Sequence, residues 1–212
     1  MKNLVTGIKS FQQQSYPENE SLFHKLREGQ HPETLFITCS DSRIDPCLLT
    51  QTKPGDLFIL RNAGNIVPPY GASNGGEAAA VEYAVTALGV QNIIVCGHSH
   101  CGAMQGLLNP DSLSALPAVA EWLNHAASTR RVVLDIHKNK TGADLHAAAI
   151  QENTIAQISN LKTHPSVASA LAENKIKLHA WVYEFESGKV FAWDSQTNLF
   201  ADICEENFSS GH

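Results

Sequence analysis

The residues best suited to chemistry fall in two short segments. The first runs from Cys39 to Arg43 (Cys-Ser-Asp-Ser-Arg), and the second runs from Gly97 to Gly102 (Gly-His-Ser-His-Cys-Gly). In the second segment His98 and Cys101 have a His-x-x-Cys spacing, which brings an imidazole and a thiol close enough to bind one metal ion. On its own, this spacing also fits a buried thiol beside a loop histidine. With Cys39 as a third ligand the set becomes Cys2His, which favours Zn²⁺ and leaves a fourth position free, as in catalytic zinc sites.

An acidic and a basic residue accompany the first cysteine. Asp41 and Arg43 follow Cys39 at a Cys-x-Asp-x-Arg spacing. This spacing would place an ion pair beside the metal, with a carboxylate able to accept a proton from bound water. A surface salt bridge that caps the next turn is the alternative interpretation. The sequence contains no Cys-x-x-Cys pair that would complete a closed structural zinc site.

Three nearly continuous apolar runs position these polar residues: Thr34 to Cys39, Asp56 to Leu60 and Asn92 to Cys96. Such runs are typical of strands buried on both faces. Between the second and third runs, Gly75 to Leu88 carries apolar residues at helical spacing, which predicts a βαβ crossover. The polar segments lie just past the carboxyl ends of these strands, where α/β sheets build their sites. The pattern therefore predicts a site at this edge of the sheet.

The remaining segments complete the prediction of an α/β fold with a mainly parallel central β-sheet flanked by helices. Two short amphipathic helices, separated by a turn at Pro17-Glu18-Asn19, form an N-terminal helical arm, and further helices are predicted around Ala118 to Val133 and Ala143 to Leu161. Leu178 to Tyr183 and Val190 to Trp193, joined through Ser187-Gly188, predict a C-terminal hairpin. We expect one domain over residues 1–212, with the arm at 1–30, the zinc-site core at 31–110, and helices and the terminal hairpin at 111–212.

The composition excludes several classes of protein. Hydrophobic residues make up 43% and charged residues 17% of the sequence, which fits neither a disordered nor a fibrous chain. A net charge of −6, with no basic run longer than Arg130-Arg131, argues against nucleic acid as a partner. Because we find neither an apolar stretch of membrane-spanning length nor a secretory signal, we expect no membrane association and a cytoplasmic location. The five cysteines, an odd number, then predict reduced thiols.

The two polar segments together resemble the paired signatures of the β-class carbonic anhydrases. The resemblance covers essentially the whole chain, and it includes Gln30 and the segments 54–58, 61–65, 68–71 and 82–84. It is strongest for the plant-like branch, which includes the bacterial enzyme that accompanies cyanase and the carboxysomal enzymes of cyanobacteria. The carboxysomal enzymes continue beyond about residue 200 into a long C-terminal extension that this sequence lacks. Carboxysomal recruitment therefore stays an open alternative that no C-terminal extension supports.

The resemblance implies a catalytic centre with named roles. Cys39, His98 and Cys101 would hold one Zn²⁺ per subunit, and zinc-bound hydroxide would attack carbon dioxide to give bicarbonate and a proton in a reversible hydration. Asp41 would orient the hydroxide while Arg43 keeps the carboxylate off the metal. Without that pairing, Asp41 would become a fourth ligand and close the site. The substrate-binding positions that the resemblance implies are Gln30, Phe58, Ala63, Tyr83 and Gly102.

The resemblance also implies a homo-oligomer, a dimer or a multiple of dimers, because the family completes its pocket across a dimer interface. The apolar stripe Leu4, Ile8 and Phe11 fits an arm that packs on a partner, and it fits equally a helix that lies on its own domain.

Three alternatives to carbon dioxide hydration remain open from the sequence. A relative on the same fold hydrolyses carbon disulfide or carbonyl sulfide with similar ligands. A non-catalytic zinc protein is the second alternative, although a structural zinc needs neither Asp41 nor Arg43. The third is a thiol redox switch between Cys39 and Cys101. His100, next to Cys101, is a candidate proton carrier.

Overall fold

The computed structural model describes residues 1–73 and 75–205. It divides the chain into two compact units, Met1–His31 and a second unit that begins at Pro32.

The first unit consists of three short helices and one wide helical turn: α1 (Lys2–Ser10), the turn Phe11–Ser15, α2 (Tyr16–Glu18) and α3 (Glu20–Leu26). The rings of Phe11, Tyr16 and Phe23 pack together, with centroids 5.1 to 6.2 Å apart. The helical path breaks at Asn19, whereas Pro17 lies inside α2. Proline is tolerated in the first turn of a helix because its missing N–H would have no partner there. The turn predicted over Pro17-Glu18-Asn19 is therefore confined to Asn19.

The second unit is built on a six-stranded sheet in the order β2-β1-β3-β4-β5-β6. The strands are β1 (Thr34–Cys39), β2 (Leu57–Asn62), β3 (Asn92–His98), β4 (Lys177–Tyr183), β5 (Val190–Asp194) and β6 (Leu199–Asp202). The first four strands run parallel, and β5 and β6 are antiparallel to their neighbours. The predicted α/β class with a mainly parallel sheet is confirmed.

Helices connect the strands and pack on the sheet. They are α4 (Pro46–Thr50), α5 (Gly76–Glu82), α6 (Gly102–Leu108), α7 (Pro117–Leu123), α8 (Ala127–Ile136), α9 (Gly142–Leu161) and α10 (Pro165–Ala172). Successive side chains of a strand point to opposite faces, so Leu35 and Ile37 of β1 pack with α5, α9 and α10 while Phe36 packs with Ile44 near α4. Among the described residues, no helix is long and apolar enough to cross a lipid bilayer.

The order of the strands creates a crevice at one edge of the sheet. From β1 the chain passes through α4 to β2 on one side, and from β2 it passes through α5 to β3 on the other side of β1. The direction of winding therefore reverses between β1 and β3. The carboxyl ends of two such strands border the crevice in which α/β proteins bind ligands.

Further segments differ from the sequence-based expectation. The run Asp56 to Leu60, predicted as a strand buried on both faces, forms β2 two residues further along the chain at its carboxyl end, and β2 has no fully buried residue. The helix predicted around Ala118 to Val133 is interrupted by a 3₁₀ turn at Asn124–Ala126, and α10 did not emerge from the sequence. The C-terminal hairpin of β4 and β5 is confirmed, but β6 adds a third strand beyond it. With only four residues, β6 is too short to show a strand pattern of its own.

Candidate metal centre

The structure brings the three predicted ligands together. Cys39 is the last residue of β1, His98 is the last residue of β3, and Cys101 is the N-terminal cap residue of α6. All three are buried, and their ligand atoms lie within 4.8 Å of one another. Because zinc lies about 2.0 to 2.3 Å from nitrogen and sulfur ligands, a modest contraction of this group completes a three-ligand site.

The hydrogen bonds of His98 show which of its nitrogens faces the metal position. Nδ1 lies 2.8 Å from the backbone oxygen of Ser99 and donates to it, since a carbonyl can only accept. Nε2 therefore keeps its lone pair, and within the part of the chain that the structure describes this buried atom has no hydrogen-bond partner. Such orphaned atoms are rare and call for an explanation. One imidazole nitrogen with two sulfurs is a donor set that fits Zn²⁺.

The two thiols differ in acidity. A hydrogen bond from Cys101 lowers the pKa of the Cys39 thiol, and the N–H of Gly64 acts in the same direction against the effect of burial. The pKa of Cys101 is raised by the same bond to Cys39 and by burial. Of the two thiols, Cys39 is therefore the one that ionises first, and ligation by both sulfurs requires both thiols to lose their protons.

Asp41 stands beside this group and is held there by Arg43. Nε of Arg43 donates to Oδ1 at 2.9 Å and Nη2 donates to Oδ2 at 2.7 Å, a two-point pairing that fixes the carboxylate plane. These bonds keep the pKa of the Asp41 carboxyl well below its usual range. Oδ2 lies 3.9 Å from Nε2 of His98. The carboxylate therefore borders the ligand group while its oxygens are engaged by the guanidinium.

Two further contacts fix Arg43. Its Nη2 donates to the backbone oxygen of His100 at 3.1 Å, and its Cζ lies 4.8 Å from the centre of the Phe185 ring, a cation–π arrangement. The same ring packs against His98, with centroids 5.1 Å apart. His100 adopts a left-handed backbone (φ 55°), and its side chain pairs with Glu186. The segment after β4 thus supports both the turn that carries His98 and Cys101 and the ion pair of Asp41 with Arg43.

Arg61 of β2 shapes the loop that carries Asp41. Its Nε donates to the backbone oxygen of Cys39 at 3.0 Å, and its Nη2 donates to those of Asp41 at 2.7 Å and Ile44 at 2.9 Å. An irregular loop has no neighbouring strand whose N–H groups could bond its carbonyl oxygens. The guanidinium of Arg61 supplies these hydrogen bonds instead.

Comparison with known proteins agrees with this geometry. The carbonic anhydrase family model matches residues 34–190, well over half of the chain. A carbonic anhydrase of Synechocystis sp. is 52% identical over 201 residues, which cover 94% of this chain and 73% of the relative. The solved β-carbonic anhydrase CcaA has a TM-score of 0.94 at 50% identity and covers 95% of this chain and 98% of its own. The chain belongs to the β-class carbonic anhydrases.

More distant relatives of this family agree. A carbonic anhydrase of Pseudomonas aeruginosa is 48% identical over 205 residues, which cover 97% of this chain and 93% of the relative. A solved structure among the tetrameric β-carbonic anhydrases of Sordaria macrospora has a TM-score of 0.82 at 29% identity, and the match covers 90% of this chain and 95% of that one. Membership of the carbonic anhydrases identifies the protein as an enzyme.

Two of the expected substrate residues lie next to the metal group. Ala63 directly precedes Gly64, whose N–H lies 3.4 Å from Sγ of Cys39. Gly102 directly follows Cys101 as the first residue of α6, and open space surrounds the position where a side chain would start.

The other expected substrate residues lie elsewhere in the chain. The rings of Phe58 and Tyr83 pack against each other with centroids 6.0 Å apart, and Tyr83 is half exposed. Phe58 pairs in register with Leu35, four residues before Cys39, a separation of roughly 13 Å along the strands. Gln30 belongs to the first unit and is exposed.

Residues that the sequence did not single out support the loop after β2. Nε1 of Trp122 donates to the backbone oxygen of Ala63 at 2.8 Å. Along one face of α9, Asn153 donates to the oxygen of Gly64 at 2.9 Å, and Gln157 accepts from the N–H of Val67 at 2.9 Å. The sequence does carry one signal for these contacts. Asn153, Gln157 and Asn160 are spaced four and three residues apart within the predicted helix Ala143 to Leu161, so their amide side chains lie on one face of it.

Proposed function

We propose that the protein catalyses the reversible hydration of carbon dioxide to bicarbonate and a proton, with one Zn²⁺ held by Cys39, His98 and Cys101. The observation that carries this proposal is the carboxylate of Asp41, which borders three buried ligand atoms while Arg43 engages both of its oxygens. A structural zinc site needs four protein ligands and no such ion pair, so the arrangement favours catalysis over a purely structural role.

The chemistry divides between the metal and the chain. When bound, Zn²⁺ lowers the pKa of a coordinated water and so supplies a nucleophile near neutral pH. Asp41 remains ionised and offers an oxygen, 3.9 Å from Nε2 of His98, that can accept a hydrogen bond beside the ligand group. Arg43 prevents this oxygen from completing the ligand group, because moving it would break two hydrogen bonds. Carbon dioxide is apolar, and we assign its pocket to Gln30, Phe58, Ala63, Tyr83 and Gly102.

Assembly, organisation and location are further parts of the proposal. A homo-oligomer of dimers brings Phe58, Tyr83 and Gln30 of one copy to the metal group of another, and the tetrameric relatives of Sordaria macrospora support such an assembly. We treat the chain as one catalytic domain with an N-terminal arm. We also propose a cytoplasmic location, where the thiols of Cys39 and Cys101 stay reduced and able to bind zinc.

Stopped-flow hydration of carbon dioxide by protein of known zinc content tests the proposal. We expect fast hydration by the wild type that rises from neutral to alkaline pH, because two thiolates offset the charge that acidifies the bound water. Cys101→Ala is expected to lose zinc and activity together. Cys47→Ala removes a thiol outside the ligand group and is expected to retain both. Fully zinc-loaded wild type without hydration at any pH would refute the proposal.

A further inference from the structure

One peptide unit joins the indole of Trp122 to the sulfur of Cys39. The carbonyl of Ala63 and the N–H of Gly64 belong to the same trans peptide and point in opposite directions. Nε1 of Trp122 donates to the carbonyl oxygen at 2.8 Å, and the N–H points at Sγ of Cys39, 3.4 Å from the nitrogen. The hydrogen bond from the indole thus fixes the carbonyl side of this peptide plane, and the N–H on its other side points at the sulfur of Cys39.

The surroundings hold this peptide in a single orientation. Gly64 is buried with a left-handed backbone (φ 81°), and a Cβ there would lie 3.0 Å from Cβ of Ala103 and 3.1 Å from Cε of Met104. Asn153 donates to the backbone oxygen of Gly64 on the next peptide at 2.9 Å. Close packing and hydrogen bonds on both sides leave the plane little freedom to rotate.

We infer that Trp122 is a positioning residue for Cys39, which acts through the Ala63–Gly64 peptide to aim and polarise an N–H donor at the ligand sulfur. A hydrogen bond accepted by the carbonyl strengthens the donor at the other end of the same peptide. An N–H directed at a thiolate stabilises the negative charge on sulfur. The hydrogen bond of Trp122 goes to the backbone of Ala63 and not to a ligand atom, so its effect is expected on the metal–sulfur bond. Partners of this kind are worth about ten- to a hundredfold in metal affinity or activity.

The inference rests on the proposed metal site, and it can be tested without measuring activity. Trp122→Phe keeps an aromatic ring and removes the N–H donor. Trp193→Phe is the matched control, because Nε1 of Trp193 donates to Oδ1 of Asn198 at 3.1 Å on β5, away from the metal group. Each purified protein is loaded with Co²⁺ and its sulfur-to-cobalt charge-transfer band is recorded. Zinc affinity is measured by competition with a chelator.

We expect the band of Trp122→Phe to move to longer wavelength, because a sulfur whose hydrogen bond from the N–H of Gly64 is weakened releases its electrons more easily. Its zinc affinity is expected to fall about tenfold or more. Trp193→Phe is expected to match the wild type in both measurements. A wild-type band in Trp122→Phe would overturn the inference and leave the metal site intact, whereas a wild type without any sulfur–cobalt band would overturn both.

A second substitution guards against a folding defect in the phenylalanine variant. 3-Benzothienylalanine at position 122 keeps the size of the indole and replaces its N–H with sulfur. We expect the same shift of the band in this protein, with an unchanged far-ultraviolet circular dichroism spectrum, which reports the folded backbone and not the substituted ring. An unshifted band in this folded protein would refute the relay through the peptide.

Discussion

Replacing Gly64 by alanine tests how tightly the loop after β2 holds Cys39, the proposed metal ligand. Gly64 has a left-handed backbone with φ 81°, and a Cβ added there would meet Cβ of Ala103 at 3.0 Å. Gly71 offers a matched control, because its φ of 82° is nearly the same and no atom lies within 4 Å of its added Cβ. The pair of variants separates the backbone strain, which both share, from the collision, which only one has.

The expected magnitudes follow from these contacts. A non-glycine residue in the left-handed region costs about 1 to 2 kcal/mol, so we expect Gly71→Ala to lose about that much free energy of unfolding. Overpacking a filled interior costs a further 1 to 3 kcal/mol, roughly, which brings the expected loss for Gly64→Ala to about 2 to 5 kcal/mol. Ala103 is the second residue of α6, two positions after Cys101, so we expect relief of the collision to displace the turn that carries this proposed ligand.

Urea unfolding gives the two losses of stability, and chelator competition gives the two zinc affinities. We expect Gly64→Ala to be the less stable variant and to bind zinc at least tenfold more weakly than the wild type. Gly71→Ala is expected to keep the wild-type affinity. Equal losses of stability in the two variants, together with unchanged zinc binding by Gly64→Ala, would refute the reasoning.

Three further predictions concern the supports around the site. Arg43→Gln is expected to retain zinc and to lose about tenfold or more in kcat/KM. The control Arg131→Gln breaks an exposed ion pair in α8 and is expected to leave zinc content and kcat/KM unchanged. Full activity of Arg43→Gln would contradict the role of the Asp41–Arg43 pair. Asn153→Leu removes the buried partner of a backbone oxygen and is expected to cost about 1 to 3 kcal/mol in urea unfolding, so an unchanged midpoint would count against this bond. The pKa of Asp202 is lowered by a backbone N–H and by Lys189, so its stabilisation is complete above the ordinary carboxyl pKa of 3.8 and is lost as the pH falls through the lower folded value. Asp202→Asn is therefore expected to flatten the acid decline of the free energy of unfolding, and an acid decline as steep as that of the wild type would contradict the assignment.

The sequence alone predicts the residues of the site that lie at the ends of strands. Strand β1 has the predicted bounds because a run buried on both faces is continuously apolar and stops at its polar neighbours. Cys39 and His98 end adjacent parallel strands, so their meeting follows from the fold class alone. Cys101 follows His98 closely enough that the turn fixes its position.

The supports of the site depend instead on how distant elements pack. Trp122 reaches Ala63 across 59 residues of sequence, and Phe185 reaches Arg43 from beyond β4. No local pattern encodes such contacts, because they arise from the angle at which a helix or a hairpin meets the sheet. Whether Asp41 pairs with Arg43 or joins the metal ligands is likewise decided by the backbone around it, which Arg61 holds through three carbonyl oxygens.

The central claim is that Asp41, held by Arg43, acts with the Cys39–His98–Cys101 group on carbon dioxide. The most direct test is the stopped-flow hydration rate of Asp41→Asn at full zinc occupancy, beside an Asp111→Asn control at an exposed position. We predict that kcat/KM of Asp41→Asn falls by about 10²- to 10⁴-fold while its zinc content stays at the wild-type level, and that the control is unchanged. Wild-type turnover by fully zinc-loaded Asp41→Asn would contradict the claim.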